Sequence, residues 1–369
     1  MTNLKPKEGK PTVKDGEWSC FFAKMTGWVF LSLVLLGCES TEESDIERNY
    51  HRLGFYNVEV LVDPFDDPLF QEQMYQGEHE AARKARYQAK LDHVAQSIRN
   101  MGPDGPELIG LAEIENESVL KDLVEHPVLK HNGYEYVWSE SQFSRGLEVA
   151  FLFDPEVFRY EFHKHIPQLD TPTCREFLWV HGIVGGQPMS IIVAQWPGKK
   201  ELEKIEKGSI RDVAIRLREF IDEEIFSLEP HAHVVILGDF GVDPHAPALR
   251  SALKVSERAI HMTEFDFFNA TESIYDPMAL GTVYTAGAWK MYDQILVSSE
   301  MYHGGGGVGI DLKSAAIHLE DEGPQLPDIA GHGDNGYPGY EDHFPISILL
   351  EVPGRNFQEG KPRIEAGIP

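Results

Sequence analysis

The sequence predicts an α/β (α+β) protein in which mixed β-sheets pack together with helices outside, and three features carry that expectation. Short apolar runs alternate with stretches of helical spacing, several apolar runs follow one another with no helix between them, and Val234-Val-Ile-Leu237 is four consecutive aliphatics. Four aliphatics in a row describe a strand covered on both faces. About 300 residues lie beyond an N-terminal segment of different character, within the size a single large domain reaches.

That segment comes first. Residues 1–24 are polar and carry Lys5, Lys7, Lys10, Lys14 and Lys24, and Trp28–Gly37 is then uncharged and mostly apolar. The run is too short to span a bilayer, which takes about 20 residues in a helix. It fits the apolar core of a secretory signal, and Leu35-Leu36-Gly37-Cys38 resembles a bacterial lipobox, whose cysteine is lipidated and becomes the mature N-terminus. The other reading is a buried helix. Translation from Met25 is an alternative start, but it would remove Lys24, the charge nearest the apolar core. The expected organisation is a lipoprotein signal peptide over residues 1–37, lipidation at Cys38, an acidic tether over 38–51, one folded domain over 52–352 and a loose tail over 353–369. The protein is then exported and lipid-anchored to a bacterial membrane, at the outer membrane or cell surface. A monomer is expected. Of Cys20, Cys38 and Cys174, the first is removed and the second acylated, which leaves one thiol and no intramolecular disulfide.

The charge is strongly acidic. Residues 1–37 carry five Lys against three acids, so of the net −27 the rest of the chain holds −29. Such a surface repels a duplex backbone unless a local basic strip and divalent cations offset it, so long nucleic acids are disfavoured as substrates. Lys199, Lys200, Lys204, Lys207, Arg211, Arg216 and Arg218 form one basic stretch, but Glu201, Glu203 and Glu206 interrupt it and a solvated helix accounts for it.

In chain order, Gly54–Leu61 is the first strand and contains Asn57. Glu80–Met101 has the spacing of an amphipathic helix, with Leu91, Val94, Ala95 and Ile98 on one face. Leu108–Ala112 is a strand ending at Glu113. Val149–Phe153, Phe177–Val180 and Met189–Val193 are strands, the last running into Ala194-Gln195-Trp196-Pro197. Ile210–Ile225 is a helix. The Val234–Leu237 strand then passes through Gly238, which lets its backbone approach a neighbour closely, to Asp239. Tyr292–Val297 is a strand carrying Asp293, and Phe344–Val352 is the last, entered through Asp342-His343.

Asn57, Glu113, Asp239, Asp293 and Asp342-His343 thus stand in or at the ends of strands. A carboxylate at a strand end is often only a turn residue, but a set of them aimed into one cleft needs a compensating cation. Carboxylates and an amide oxygen suit Mg²⁺ or Mn²⁺, whereas Zn²⁺ would call for neutral His or Cys clusters. A histidine beside an acid can serve as general base or as a charged partner for phosphate. Together the six residues point to metal-assisted phosphoester chemistry.

The same residues resemble the endonuclease/exonuclease/phosphatase superfamily, the DNase I-like fold. The opening motifs are Asn57-Val-Glu-Val-Leu61 with Asp63 and Asp66-Asp67-Pro68, then Gly110-Leu-Ala-Glu-Ile-Glu-Asn116. Arg145-Gly-Leu-Glu-Val-Ala150, Gly238-Asp-Phe, Asp243-Pro244, Gly281-Thr with Tyr292-Asp-Gln-Ile295, and Asp342-His-Phe-Pro345 continue in the family's order. The resemblance covers about residues 52 to 352. It implies a four-layer αββα sandwich, two packed mixed β-sheets with helices outside and the active site at one edge. It makes Glu113 the principal metal ligand with Asn57 beside it, has Asp239 orient or activate the attacking water, and has Asp293 support the site. His343, held by Asp342, would contact or protonate the phosphate, and Arg145 and Gly241 fall at substrate-binding positions.

Two departures bear on activity. The family's Gly-Asp-Phe-Asn reads Gly-Asp-Phe-Gly here, so Gly241 replaces an amide, and its Asn-His-Trp-Pro reads Ala194-Gln195-Trp196-Pro197. Gln195 can donate a neutral hydrogen bond but cannot carry an imidazolium's charge. Loss of one preorganised donor costs on the order of 10²–10³ in rate. Val60, where relatives often have Asn, and Glu341, where they often have Ser, are milder changes.

Other signals carry less. His303-Gly-Gly-Gly-Gly-Val-Gly309 lacks the Lys-Ser/Thr of a phosphate-cradling loop, and Gly331-His-Gly-Asp-Asn-Gly336 is a loop near the expected site. His163, His165 and His181 are too scattered for a metal cluster. Two readings remain: an exported Mg²⁺- or Mn²⁺-dependent phosphoesterase acting on a phosphorylated small molecule or phosphodiester, or an impaired member of the same fold that binds a ligand or partner without turnover.

Overall fold

The computed structural model describes residues 48–65, 79–138, 147–169, 175–198, 202–203, 208–304, 307–319 and 343–353. The chain divides into residues 1–44 and 45–369, and every described residue belongs to the second unit. The signal peptide, Cys38, most of the tether, Arg145, Asp342, Gly331–Gly336 and most of the C-terminal tail lie outside the described residues.

From the N-terminus come β1 (Arg48–Leu61), α1 (Glu80–Asn100), β2 (Leu108–Ile114) and α2 (Glu117–Val124). A run of five strands follows: β3 (Glu135–Val137), β4 (Glu148–Phe153), β5 (Phe158–Pro167), β6 (Glu176–Val184) and β7 (Gln187–Gln195). After α3 (Ile210–Ile221) come β8 (His233–Asp239), β9 (Val255–Ser256), β10 (Phe267–Asn269), β11 (Val283–Thr285), β12 (Ala288–Lys290) and β13 (Asp293–Ser298). A short α4 (Ser299–His303), β14 (Gly309–Ile317) and β15 (Ile346–Pro353) complete the described chain.

The strands form a six-stranded sheet in the order β14-β15-β1-β2-β4-β3 and a seven-stranded sheet in the order β5-β6-β7-β8-β13-β10-β9, with β11 and β12 as a separate hairpin. Both sheets are mixed: β1 and β2 run parallel in the first, β7 and β8 in the second, among antiparallel neighbours. Period-2 alternation sends Leu53, Phe55, Phe151, Val193, Leu237 and Ile348 into one cluster shared by both sheets. The opposite face of the first sheet buries Ile109, Leu111 and Ala150 against Leu91, Val94, Ala95 and Ile98 of α1 and Val119, Leu120 and Leu123 of α2. The opposite face of the second buries Ile192, Val234 and Ile236 against Val213, Ala214 and Leu217 of α3. The result is helix, sheet, sheet, helix, the expected four layers. Each fully buried aliphatic contributes about 1.5–3 kcal/mol, so the three clusters need no disulfide.

Local signals set the helix ends. Ser209 and Asp212 form a capping box at the start of α3, and Asn116 caps α2 by accepting the Val119 N–H. The predicted helix over 210–225 ends in a π-turn, Asp222–Phe226, where Arg218 turns inward to Asp222 and to the Phe265 carbonyl. That member of the basic stretch is therefore structural.

Gly238 shows why a glycine precedes Asp239. A Cβ there would lie 2.0 Å from the Ala194 carbonyl oxygen across the parallel β7–β8 pair. Gly238→Ala is therefore expected to lower stability by about 1–3 kcal/mol by prying those strands apart. An unchanged urea midpoint would show that the close approach is not needed.

Candidate active site

The parallel pairs β1–β2 and β7–β8 end at the same edge of the sandwich. Asn57 and Glu113 stand near the ends of β1 and β2, and Gln195 and Asp239 end β7 and β8 as direct register partners. Asp293 opens β13 opposite Asp239, and His343 enters the site just before β15, bridged to Val283 of β11. Five sequence-predicted strand-end residues and Gln195 thus meet in one place.

Both β1 and β2 bulge here. The register of β1 on β2 shifts between Asn57 and Leu61, and that of β2 on β4 between Leu111 and Ile114. Glu59, Val60 and Glu113 have φ of 50°, 59° and 68°, left-handed backbone that costs on the order of 1–3 kcal/mol for a non-glycine residue. For β-branched Val60 this is a genuine outlier. The bulges bring Glu113 within reach of donors on either side: Oε2 accepts the Val60 N–H at 2.9 Å, and Oε1 accepts the Gln195 amide at 2.7 Å.

Asn57 is buried, and its orientation is fixed by its partners. Its Oδ1 accepts the Glu59 N–H at 3.0 Å, so Nδ2 faces Asp239 Oδ2 at 3.2 Å. In this arrangement Asn57 is a donor that orients Asp239. The other Asp239 oxygen accepts the Gly241 N–H at 2.9 Å, and the Asp239 carbonyl accepts the Trp196 N–H at 2.8 Å. Gly241 has φ 61° and nothing within 4 Å of where a Cβ would stand.

His343 is paired with Asp293, and the neighbouring Asp342, expected from the sequence to hold it, lies outside the described residues. Its Nδ1 meets Asp293 Oδ2 at 2.8 Å, while Nε2 lies 4.0 Å from Asp239 Oδ2. A carboxylate accepts only, so Nδ1 carries the proton and Nε2 faces the cleft. Thr282 anchors both partners: its hydroxyl accepts the Asp293 N–H at 3.1 Å, and its carbonyl accepts the Phe344 N–H at 2.9 Å. Asp243 ties the hairpin to this edge through Lys290 at 2.8 Å and the Met291 N–H at 3.1 Å.

Among the described residues the cluster is short of positive charge. Burial pushes the Asp239 carboxyl up to about 6, the Asp293 and Glu113 carboxylates add to the rise, and His343 and the Gly241 N–H oppose it. Asp293 Oδ1 is buried with no hydrogen-bond partner among the described residues. Asp239, Asp293 and His343 offer ligand atoms within 4.8 Å of one another, a group that can hold a metal ion. Within that trio, however, the facing atoms of Asp293 and His343 are already bonded to each other, so the two act first as an acid–imidazole pair. Oxygen donors predominate in the group, which fits a hard divalent cation.

Proton and cation compete for the same carboxylates. Because the folded Asp239 binds its proton more tightly than an unfolded Asp, the ion-free fold carries a penalty at pH 7 that is relieved as pH falls through about 6. Mn²⁺ affinity is expected to change little above pH 7 and to fall by up to about tenfold per unit below pH 6. Titrations at pH 5, 6, 7 and 8 check this, and a flat profile would place the ion away from Asp239.

Sequence reasoning missed Arg175 and Gln168, which stand behind Gln195. An isolated arginine before a strand gives no signal of its own.

Compared with known proteins, the chain matches the Endonuclease/Exonuclease/phosphatase family over residues 52–352. None of the curated proteins matches it. It is similar to an endonuclease/exonuclease/phosphatase from Bacteroides vulgatus, at 15% identity and TM-score 0.50, over 82% of this chain and 99% of that one. It is also similar to a functionally unknown conserved protein from Enterococcus faecalis, at 14% identity and TM-score 0.51, over 82% and 99%. D. rerio TDP2 complexed with single strand DNA product matches at 12% identity and TM-score 0.50, again over 82% and 99%. At these identities the likeness is one of fold.

Proposed function

The chain belongs to the endonuclease/exonuclease/phosphatase family, and from that premise we propose that it is an exported, Mg²⁺-dependent phosphoesterase hydrolysing a phosphodiester or phosphomonoester by attack of water. The observation that supports this most directly is the convergence of Glu113, Asp239 and the His343–Asp293 pair on one edge, with Glu113 held there against backbone strain. A dead scaffold has no reason to retain that strain.

The family is generally divalent-metal dependent, and the site's oxygen donors fit such an ion. Glu113 and Asp239 would hold Mg²⁺ or Mn²⁺, which when bound offsets charge developing on the phosphoryl oxygens. Asp239, oriented by Asn57 and the Gly241 N–H, positions the attacking water and accepts its proton. The Nε2 of His343 faces the phosphate, while Asp293 fixes the ring's tautomer. The lipobox resemblance at Cys38 supports a membrane-anchored, exported enzyme.

For substrate, the −29 of residues 38–369 favours small phosphorylated molecules over long nucleic acids. D. rerio TDP2 holds a single strand DNA product, so DNA belongs in the test. Assay of the protein with Mg²⁺ or Mn²⁺ against an aryl phosphodiester, an aryl phosphomonoester and plasmid DNA is expected to give chelator-sensitive turnover of one of the aryl esters. Faster cleavage of plasmid, with binding that weakens steeply with salt, would reverse the substrate assignment. Gly241 and Gln195 favour the second reading, a binding protein without turnover, and inertness toward every substrate would support it.

A further inference from the structure

We propose that Arg175 is a positioning residue that fixes Glu113 for its cation through the side chain of Gln195; this rests on the reading of Glu113 as a cation ligand. The Arg175 guanidinium donates to Gln195 Oε1, and Gln195 Nε2 donates to Glu113 Oε1 at 2.7 Å. Arginine has no acceptor, so the Gln195 oxygen must face it and the amide N–H is left to face the carboxylate. A glutamine alone could present either end; a buried guanidinium removes the choice.

The relay is built into the strand ends. Arg175 and Gln195 are 7% and 4% exposed. Gln168, fully buried after β5, donates its side-chain amide to the Gln195 carbonyl at 2.8 Å and its backbone N–H to the Arg175 carbonyl at 3.1 Å. One residue therefore braces the backbones of both partners. The guanidinium polarises the amide and strengthens its N–H as a donor, as hydrogen bonds in series do. With Val60 holding the second oxygen, the Glu113 carboxylate is clamped at both ends. The arrangement brings a fixed positive charge to the site from behind Gln195, whose own side chain is neutral.

The test reads metal binding, not activity. Mn²⁺ affinity, from the magnetic resonance signal of free Mn²⁺, is measured for the wild type, Arg175→Met, Gln195→Met and the double variant. Each single change is expected to weaken binding by about tenfold, the effect of removing a group that orients a ligand. The double variant is expected to bind within about twofold of Gln195→Met, because Arg175 acts only through the amide. Arg175→Lys, which keeps the charge but not the planar fork, is expected to fall between the wild type and Arg175→Met. Should Arg175→Met lose its fold by circular dichroism, the lysine variant alone and with Gln195→Met supplies the same cycle. Losses that multiply, an unchanged affinity in Arg175→Met, or a wild type that binds no Mn²⁺ would each overturn the relay. Wild-type hydrolysis is measured in parallel: no turnover with intact coupling would sink the phosphoesterase reading and leave the relay standing.

Discussion

Glu113→Ala is expected to lower kcat by about 10³-fold, with Mn²⁺ binding lost in parallel. Three decades correspond to about 4 kcal/mol, the scale of charge stabilisation a bound cation gives a phosphoryl transition state. Glu113 sits at φ 68°, a strain an alanine would share, so the change does not alter the backbone cost. It removes a charge that disfavours ionisation of Asp239, while leaving the Val60 N–H and the Gln195 amide without their carboxylate. Stability is therefore expected to move little and activity greatly. A variant with lowered stability and proportionate loss of activity would mean that Glu113 is a structural brace.

Asp293→Asn is expected to lower kcat by about 10²–10⁴-fold, the range of general acid–base catalysis, with Mn²⁺ affinity nearly unchanged. Asp293 contacts the Nδ1 of His343 at 2.8 Å and is fully buried, so its charge acts on the ring with little screening by solvent. The amide can accept the same hydrogen bond but supplies no charge to stabilise an imidazolium. His343→Ala should cost about as much, and the double variant no more than either single change, because the two form one unit. Metal binding separates the alternatives. If Asp293 is instead a ligand within the Asp239–Asp293–His343 trio, Mn²⁺ affinity collapses along with kcat.

The parts of the molecule legible in the sequence were those fixed by local pattern. The face of α1 reads directly from its spacing, as Leu91, Val94, Ala95 and Ile98 are all buried. Val234–Leu237 lies at the centre of β8, and the close approach inferred for Gly238 is real. The strand-end positions of Asn57, Glu113, Asp239 and Asp293 followed from apolar runs that stop at a polar residue.

What the sequence did not show depends on which strand ends become neighbours. Asp293 and His343 are 50 residues apart, and only the pairing of β13 with β8 and the bridge from His343 to Val283 bring them together. The adjacent Asp342 was the natural choice of partner from sequence, and it lies outside the described residues. Asn116, which closes the Gly110–Asn116 motif, also caps the short helix α2, a role the motif did not mark. β5 escaped notice because it is an edge strand with most of its residues exposed, so no apolar run marks it. The bulges of β1 and β2 were equally invisible, since Val60 and Glu113 have no intrinsic preference for positive φ.

Wild-type turnover compared with that of Gly241→Asn tests the central claim most directly. At φ 61° with open space beyond it, position 241 can take Asn, which tolerates left-handed backbone better than most residues. The measurement is Mn²⁺-dependent hydrolysis of an aryl phosphodiester and an aryl phosphomonoester by the two proteins under one set of conditions. A working site predicts that the wild type turns over and that Gly241→Asn improves it little. An inert wild type with activity gained on Gly241→Asn, alone or with Gln195→His, would contradict it and leave a binding protein on a phosphoesterase fold.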